Sequence, residues 1–179
     1  NRPDIDQVRF MTNAINTKTR GIDIVINGNW KVIKGNLGLI AAANFTRTNL
    51  FGPIQTTDKL AANSSNENIL FNREEREKIE HSQPASKIIL SANFKKGKAG
   101  ILIRITRFGE TSIVQNAANP AQDEFFSAKV FTDINFNYSP KTWLTITAGI
   151  NNVFDVYPDS VKNPINKNQG ILIYSNQGT

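Results

Sequence analysis

Residues 144–159 read LTITAGINNVFDVYPD. Leu144, Ile146, Ala148 and Ile150 alternate with Thr145, Thr147, Gly149 and Asn151. A period of two belongs to a β-strand whose two faces meet different surroundings. The alternation stops at Asn151-Asn152, where an apolar, acidic and aromatic cluster begins. Asn and Asp bond to nearby backbone and tolerate turn geometry, so they suit a strand leaving a sheet.

The same rhythm recurs upstream. Alternating segments cover about 19–31, 35–50, 86–95, 98–108 and 128–138, and a further strand near 8–13 continues into the first. One face collects Ile22, Ile24, Ile26, Leu37, Leu39, Phe45, Ile88, Leu90, Ile101, Ile103, Ile105, Ile134 and Phe136. The other collects Asp23, Asn27, Asn44, Asn93, Arg104, Lys129, Asp133, Asn135 and Asn151. The links alternate between short and long. Tight turns are expected at Val32-Ile33-Lys34-Gly35, Lys95-Lys96-Gly97-Lys98 and Ser139-Pro140-Lys141. Long polar loops are expected over 51–85, 109–127 and beyond 155. The fold class is therefore all-β, an antiparallel meander of about six long strands with short turns at one end and long loops at the other.

Composition narrows the function. The chain of 179 residues carries a net charge of +6 and 39% hydrophobic residues. A basic balance suits nucleic acid, anionic ligands or lipid headgroups. Aromatic residues are not interleaved with Lys and Arg as a base-stacking platform requires, so nucleic acid is set aside. With no cysteine there is no disulfide framework, thiol nucleophile or thiolate metal site. No apolar run approaches the ~20 residues of a membrane helix, but a membrane-spanning strand needs only about 9–11 alternating residues. The opening Asn1-Arg2-Pro3-Asp4 reads as the start of a fragment or a processed chain, without a visible signal sequence.

Catalytic and cofactor chemistry finds no constellation. His81, the single histidine, is expected as a solvated loop residue. The pairs Glu74-Glu75 and Asp123-Glu124 are expected to be solvated carboxylates. Gly28, Gly35 and Gly38 form no phosphate-binding run between strand and helix. Asp155 and Asp159 are not spaced as an EF-hand calcium loop. Neither an enzyme nor a resident cofactor or metal is expected. A short helix is expected at 72–78, with Asn72 as cap and Glu75 in the place of a capping-box partner.

Two architectures suit a two-faced sheet of this kind. In a soluble sandwich the apolar face is a core; in a membrane barrel it faces lipid and the polar face lines a wet lumen. Strand length, the regular turn and loop asymmetry, and Trp30, Phe94, Tyr138 and Trp143 near the short turns all favour the membrane. Strands of this number do not close a membrane barrel, because eight is the practical minimum, so the missing partners would be further strands of a longer chain.

Three stretches carry a family resemblance. Thr17-Lys18-Thr19-Arg20-Gly21-Ile22-Asp23 resembles a strand opening of TonB-dependent outer-membrane receptors. Leu70-Phe71-Asn72-Arg73-Glu74, Ile79-Glu80 and Pro84-Ala85-Ser86-Lys87 are similar to a loop leading into a following strand of that family. Gly149-Ile150-Asn151-Asn152-Val153-Phe154-Asp155 is similar to the Gly-x-Asn-Asn-Leu/Val-Phe-Asp ending of the family's penultimate strand. The resemblance implies a 22-stranded barrel with a plug inside. It also implies a place in the bacterial outer membrane, contact with its lipid, and energy from the TonB complex acting through the plug. The ligand would be a scarce small molecule such as an iron–siderophore complex. Residues 1–179 would then be a late barrel segment without plug or final strand. Arg104, Lys129 and Asp133 are the inward charges expected to line the lumen and meet ligand. The alternative is a soluble β-sandwich binding module.

Overall fold

The computed structural model describes residues 15–55, 71–115 and 120–164. The strand expected near 8–13 lies outside them. Strands β1 (Asn16–Val32), β2 (Gly35–Phe51), β3 (Ser86–Lys96), β4 (Ala99–Phe108), β7 (Lys129–Lys141) and β8 (Leu144–Ile150) form one sheet in the order β1-β2-β3-β4-β7-β8. All neighbours are antiparallel. Between β4 and β7, β5 (Thr111–Ile113) and β6 (Glu124–Phe126) form a separate ribbon. The only α-helix among the described residues is α1 (Arg73–Glu80).

The register carries the alternation across every strand. One row on the apolar face runs Trp30, Leu37, Phe94, Ile101, Phe136 and Ala148. The next runs Gly28, Leu39, Ala92, Ile103, Ile134 and Ile150. On the opposite face one row runs Asn27, Ile40, Ser91, Arg104 and Asp133, and another runs Asn29, Gly38, Asn93, Leu102, Asn135 and Gly149. A slip of one residue in any strand would exchange its faces, so this consistency fixes the register.

Three of the glycines stand opposite asparagines on the polar face. Asn29 pairs with Gly38, Asn137 with Gly100 and Asn135 with Gly149, and each carboxamide occupies the space a Cβ would need. The polar face of the 144–150 strand is therefore shaped by the Asn135 side chain that its neighbour lays across Gly149. At its end Asn152 takes a positive φ of 51° and bonds Val156 twice, accepting from its N–H at 3.0 Å and donating to its carbonyl at 2.8 Å. Asp133 Oδ1 accepts the Asn152 N–H at 2.9 Å. Asn151-Asn152 thus closes the strand as expected.

The turns differ in their fit. Gly97 takes a positive φ of 58° at the first central position of the β3–β4 hairpin, the place a type II′ turn gives to glycine. In the β1–β2 hairpin both central residues, Ile33 and Lys34, have positive φ, 52° and 57°. That is the type I′ pattern, which disfavours a β-branched side chain. Replacing Ile33-Lys34 with Asn-Gly is expected to stabilise the hairpin by roughly 1–2 kcal/mol. A shift of the urea midpoint to higher concentration at unchanged slope checks it.

One turn departs from expectation. The β7–β8 turn is Thr142-Trp143, not Ser139-Pro140-Lys141. Ser139 and Pro140 remain in β7 and together oppose Thr145, a β-bulge between Tyr138 and Lys141. Proline has no N–H to give a ladder, and a bulge removes the need for one.

The buried hydrophobic side chains are not in the six-stranded sheet, whose one buried polar side chain among the described residues is Thr132 of β7. Phe71, Val114, Phe126 and Val161 are the buried hydrophobic residues among those described, and all lie in the long loops or their ribbon. Across the apolar face Ile22, Ile26 and Ile150 stay more than 60% exposed. Among the described residues β1 and β8 also have a neighbour on one side only.

Candidate functional site: the polar sheet face and the loop cap

Register places Arg104 directly opposite Asp133, on the face that also carries Lys129. The three charges expected along the wall therefore share one face, but they are engaged differently. Lys129 Nζ donates to Asp159 Oδ1 at 2.6 Å and to Ser127 Oγ at 3.2 Å. Asp159 also accepts from the Ser127 N–H and hydroxyl, each at 3.0 Å. Asp133 holds the Asn152 turn. Arg104 makes no ion pair among the described residues and borders a shallow hollow of about 370 Å³ with Asn27, Asn29, Ser91 and Asn93. Its guanidinium and the surrounding amides can receive an anionic or hydrogen-bond-accepting group.

The long loops fold onto one another at the far end of the sheet. Helix α1 is capped by Asn72, whose Oδ1 accepts the Glu75 N–H at 3.0 Å. Glu75 does not complete the expected capping box; its carboxylate takes Lys78 Nζ at 3.0 Å. The helix is more than a solvated turn. Arg73 grips Asp123 through two bonds of 2.9 and 2.5 Å, Glu77 accepts from Ser112, and Glu80 accepts the Leu50 N–H at 2.8 Å. Asp123 and Glu124 are thus not the solvated pair expected. The Asp123 side chain is only 5% exposed, and Glu124 Oε1 accepts the N–H groups of Lys162 and Asn163. His81 is exposed as expected and pairs with Glu77 at 3.0 Å.

Between α1 and the β5–β6 ribbon lies a cleft of about 670 Å³, with Glu77, His81, Thr111, Ser112 and Phe125 on its walls. Thr111 Oγ1 is buried there with no hydrogen-bond partner among the described residues. Sequence reasoning missed this cleft, because three-residue strands carry too few positions to show a period. Among the described residues no three or more His, Asp or Glu groups gather as a metal site, and no helix is long and apolar enough to cross a membrane.

The cap has an acid limit. Arg73 holds the Asp123 carboxyl below its ordinary pKa, and Asp123 raises that of Arg73 in turn. Lys129, then Ser127, lowers the Asp159 carboxyl in the same way. A depressed folded pKa contributes full stability above the unfolded value of about 3.9 and loses it as pH falls through the folded value. Protection from hydrogen exchange over 109–115, 120–127 and 156–163, measured against the intrinsic rate at each pH, is expected to fall as pH drops below the unfolded value of about 3.9. Asp159→Asn should flatten part of that dependence.

No protein-family model matches the chain, and no curated protein and no solved structure does either.

Proposed function

We propose that this chain is a late part of the barrel wall of a TonB-dependent receptor in the bacterial outer membrane. The complete barrel has 22 strands around a plug. The apolar face meets lipid, and the polar face with Arg104, Lys129 and Asp133 lines the lumen. Uptake of a scarce small ligand, such as an iron–siderophore complex, is driven by the TonB complex through the plug.

The observation that carries this reading is the apolar face left exposed across six strands, while the buried hydrophobic side chains lie in the loops and their ribbon. Trp30, Phe94 and Phe136 share one row near the short turns, with Tyr138 in the next, as an interfacial aromatic girdle requires. Strands of 17 residues in β1 and β2 exceed the usual soluble length. A soluble sandwich needs a second sheet over the apolar face. The other sheet among the described residues is the β5–β6 ribbon, with three residues in each strand.

The absence of natural cysteine allows a direct test. Single cysteines at successive positions 101–106 of β4 are introduced and labelled with a water-soluble maleimide in lipid vesicles. Positions 102, 104 and 106 are expected to react, and 101, 103 and 105 to be protected. Uniform labelling would refute the lipid-facing assignment. The same alternation in lipid-free buffer would instead indicate a soluble sandwich core.

A further inference from the structure

We propose that the loop-end margin of the apolar face binds the phosphomonoester headgroup of a membrane lipid, with Arg20 and Arg47 as its anchors. This rests on the apolar face being the lipid-facing one. The starting point is an unusual pairing: Arg20 and Arg47 are register partners, side by side on one face. Like charges directly opposite one another in a sheet are destabilising. Neither guanidinium has an acidic partner among the described residues.

The surroundings share the same sign. Lys18 follows on this face, with its ammonium 5.9 Å from the centre of the Phe51 ring. Arg107 lies on the same face beside Ile88, reaching Ser86 Oγ at 3.4 Å. The acids of the six strands, Asp23 and Asp133, both lie on the opposite face. Glu80, which reaches the end of β2, is engaged by the Leu50 N–H.

Position selects the ligand. Arg20 and Arg47 directly follow the row of Ile22 and Phe45, which are 63% and 43% exposed. An anion held there has its apolar continuation against the isoleucine rows. From Arg20 to the Ile33-Lys34 turn the strand runs roughly 40 Å, or about 30 Å across a membrane at a tilt near 40°. That is the thickness of a hydrocarbon layer, so the arginines fall at one headgroup level and the turn lysines at the other. Two guanidiniums carry two positive charges. A phosphomonoester carries about −1.5 to −2 at pH 7 and offers oxygens for two forks at once, whereas a diester carries a single charge.

The test titrates the whole chain in neutral detergent micelles with dioleoyl phosphatidic acid, dioleoyl phosphatidylglycerol and inorganic phosphate. Phosphatidic acid is expected to bind at least about tenfold tighter than either of the others. Arg20→Ala with Arg47→Ala should lose about tenfold or more, and Arg20→Lys with Arg47→Lys should fall between, because lysine keeps charge but not the fork. Lys34→Ala with Lys98→Ala removes the same charge at the turns and should change affinity less than about twofold. Circular dichroism establishes folding, and if the alanine pair does not fold the lysine pair decides. Equal losses at both ends, phosphatidylglycerol binding as tightly as phosphatidic acid, inorganic phosphate binding as tightly, or an unchanged affinity in the lysine pair would each overturn the proposal. Alternating protection in β4 together with any of these results would leave the lipid-facing assignment standing and reject only the headgroup site.

Discussion

Replacing Ile103 with arginine is expected to cost membrane assembly about 2–4 kcal/mol, a loss of roughly 30- to 1000-fold in the assembled-to-unassembled ratio. Ile103 sits in the row of Leu39, Ala92, Ile134 and Ile150, away from both margins of the apolar band. In the proposed setting an arginine there meets hydrocarbon, and among the described strand residues no carboxylate shares its face of the sheet. Ile134, its cross-strand partner, should be equally sensitive, and the two together should fall short of additive because one distortion of the lipid serves both. Asn135→Arg, one residue along on the opposite face, should cost far less. Urea titration of the vesicle-assembled protein and heat-modifiable gel mobility measure both. Equal tolerance at Ile103 and at Asn135 would mean that the apolar face does not meet lipid.

The sheet is legible because apolar and polar residues alternate along most of each strand. Six alternating segments fixed the six strands, and the register then placed Asn27, Arg104 and Asp133 in one row. What could not be read is what depends on distance or backbone detail. Ser139-Pro140 has the composition of a turn, yet it lies in a bulge because the strand continues to Lys141. Arg73 and Asp123 stand far apart in sequence, and nothing local to either marks the other as its partner. Lys129 and Asp133 were legible as residues of the polar face, but not as supports of the adjoining loop, because their partners Asp159 and Asn152 lie beyond the next strand. Of the three expected lumen charges, Arg104 is the one that these supporting contacts leave available.

Phe126→Ala is expected to cost the loop cap about 3 kcal/mol, toward the low end for a buried phenylalanine because few other buried hydrophobic residues lie among the described loops. Phe126 is 3% exposed, and the other buried hydrophobic residues, Phe71, Val114 and Val161, come from separate loop segments. Removing the ring takes apolar surface from beside Val114, where the buried hydrophobic residues among those described are few. The ribbon that pairs Phe126 with Thr111 and the loop holding Val161 should open together, with hydrogen exchange rising over 109–115, 120–127 and 156–163. Protection in β3 and β4 should hardly change. Their ladders are satisfied by neighbouring strands, and their side chains are covered by lipid or lumen contents in the proposed setting, not by the cap. Parallel loss of protection in β3 and β4 would show cap and sheet to be one cooperative unit. Separate responses would show that the cap can open while the register of the wall stays fixed, as expected where Arg73–Asp123, Ser112–Glu77 and Lys162–Glu124 join loop to loop.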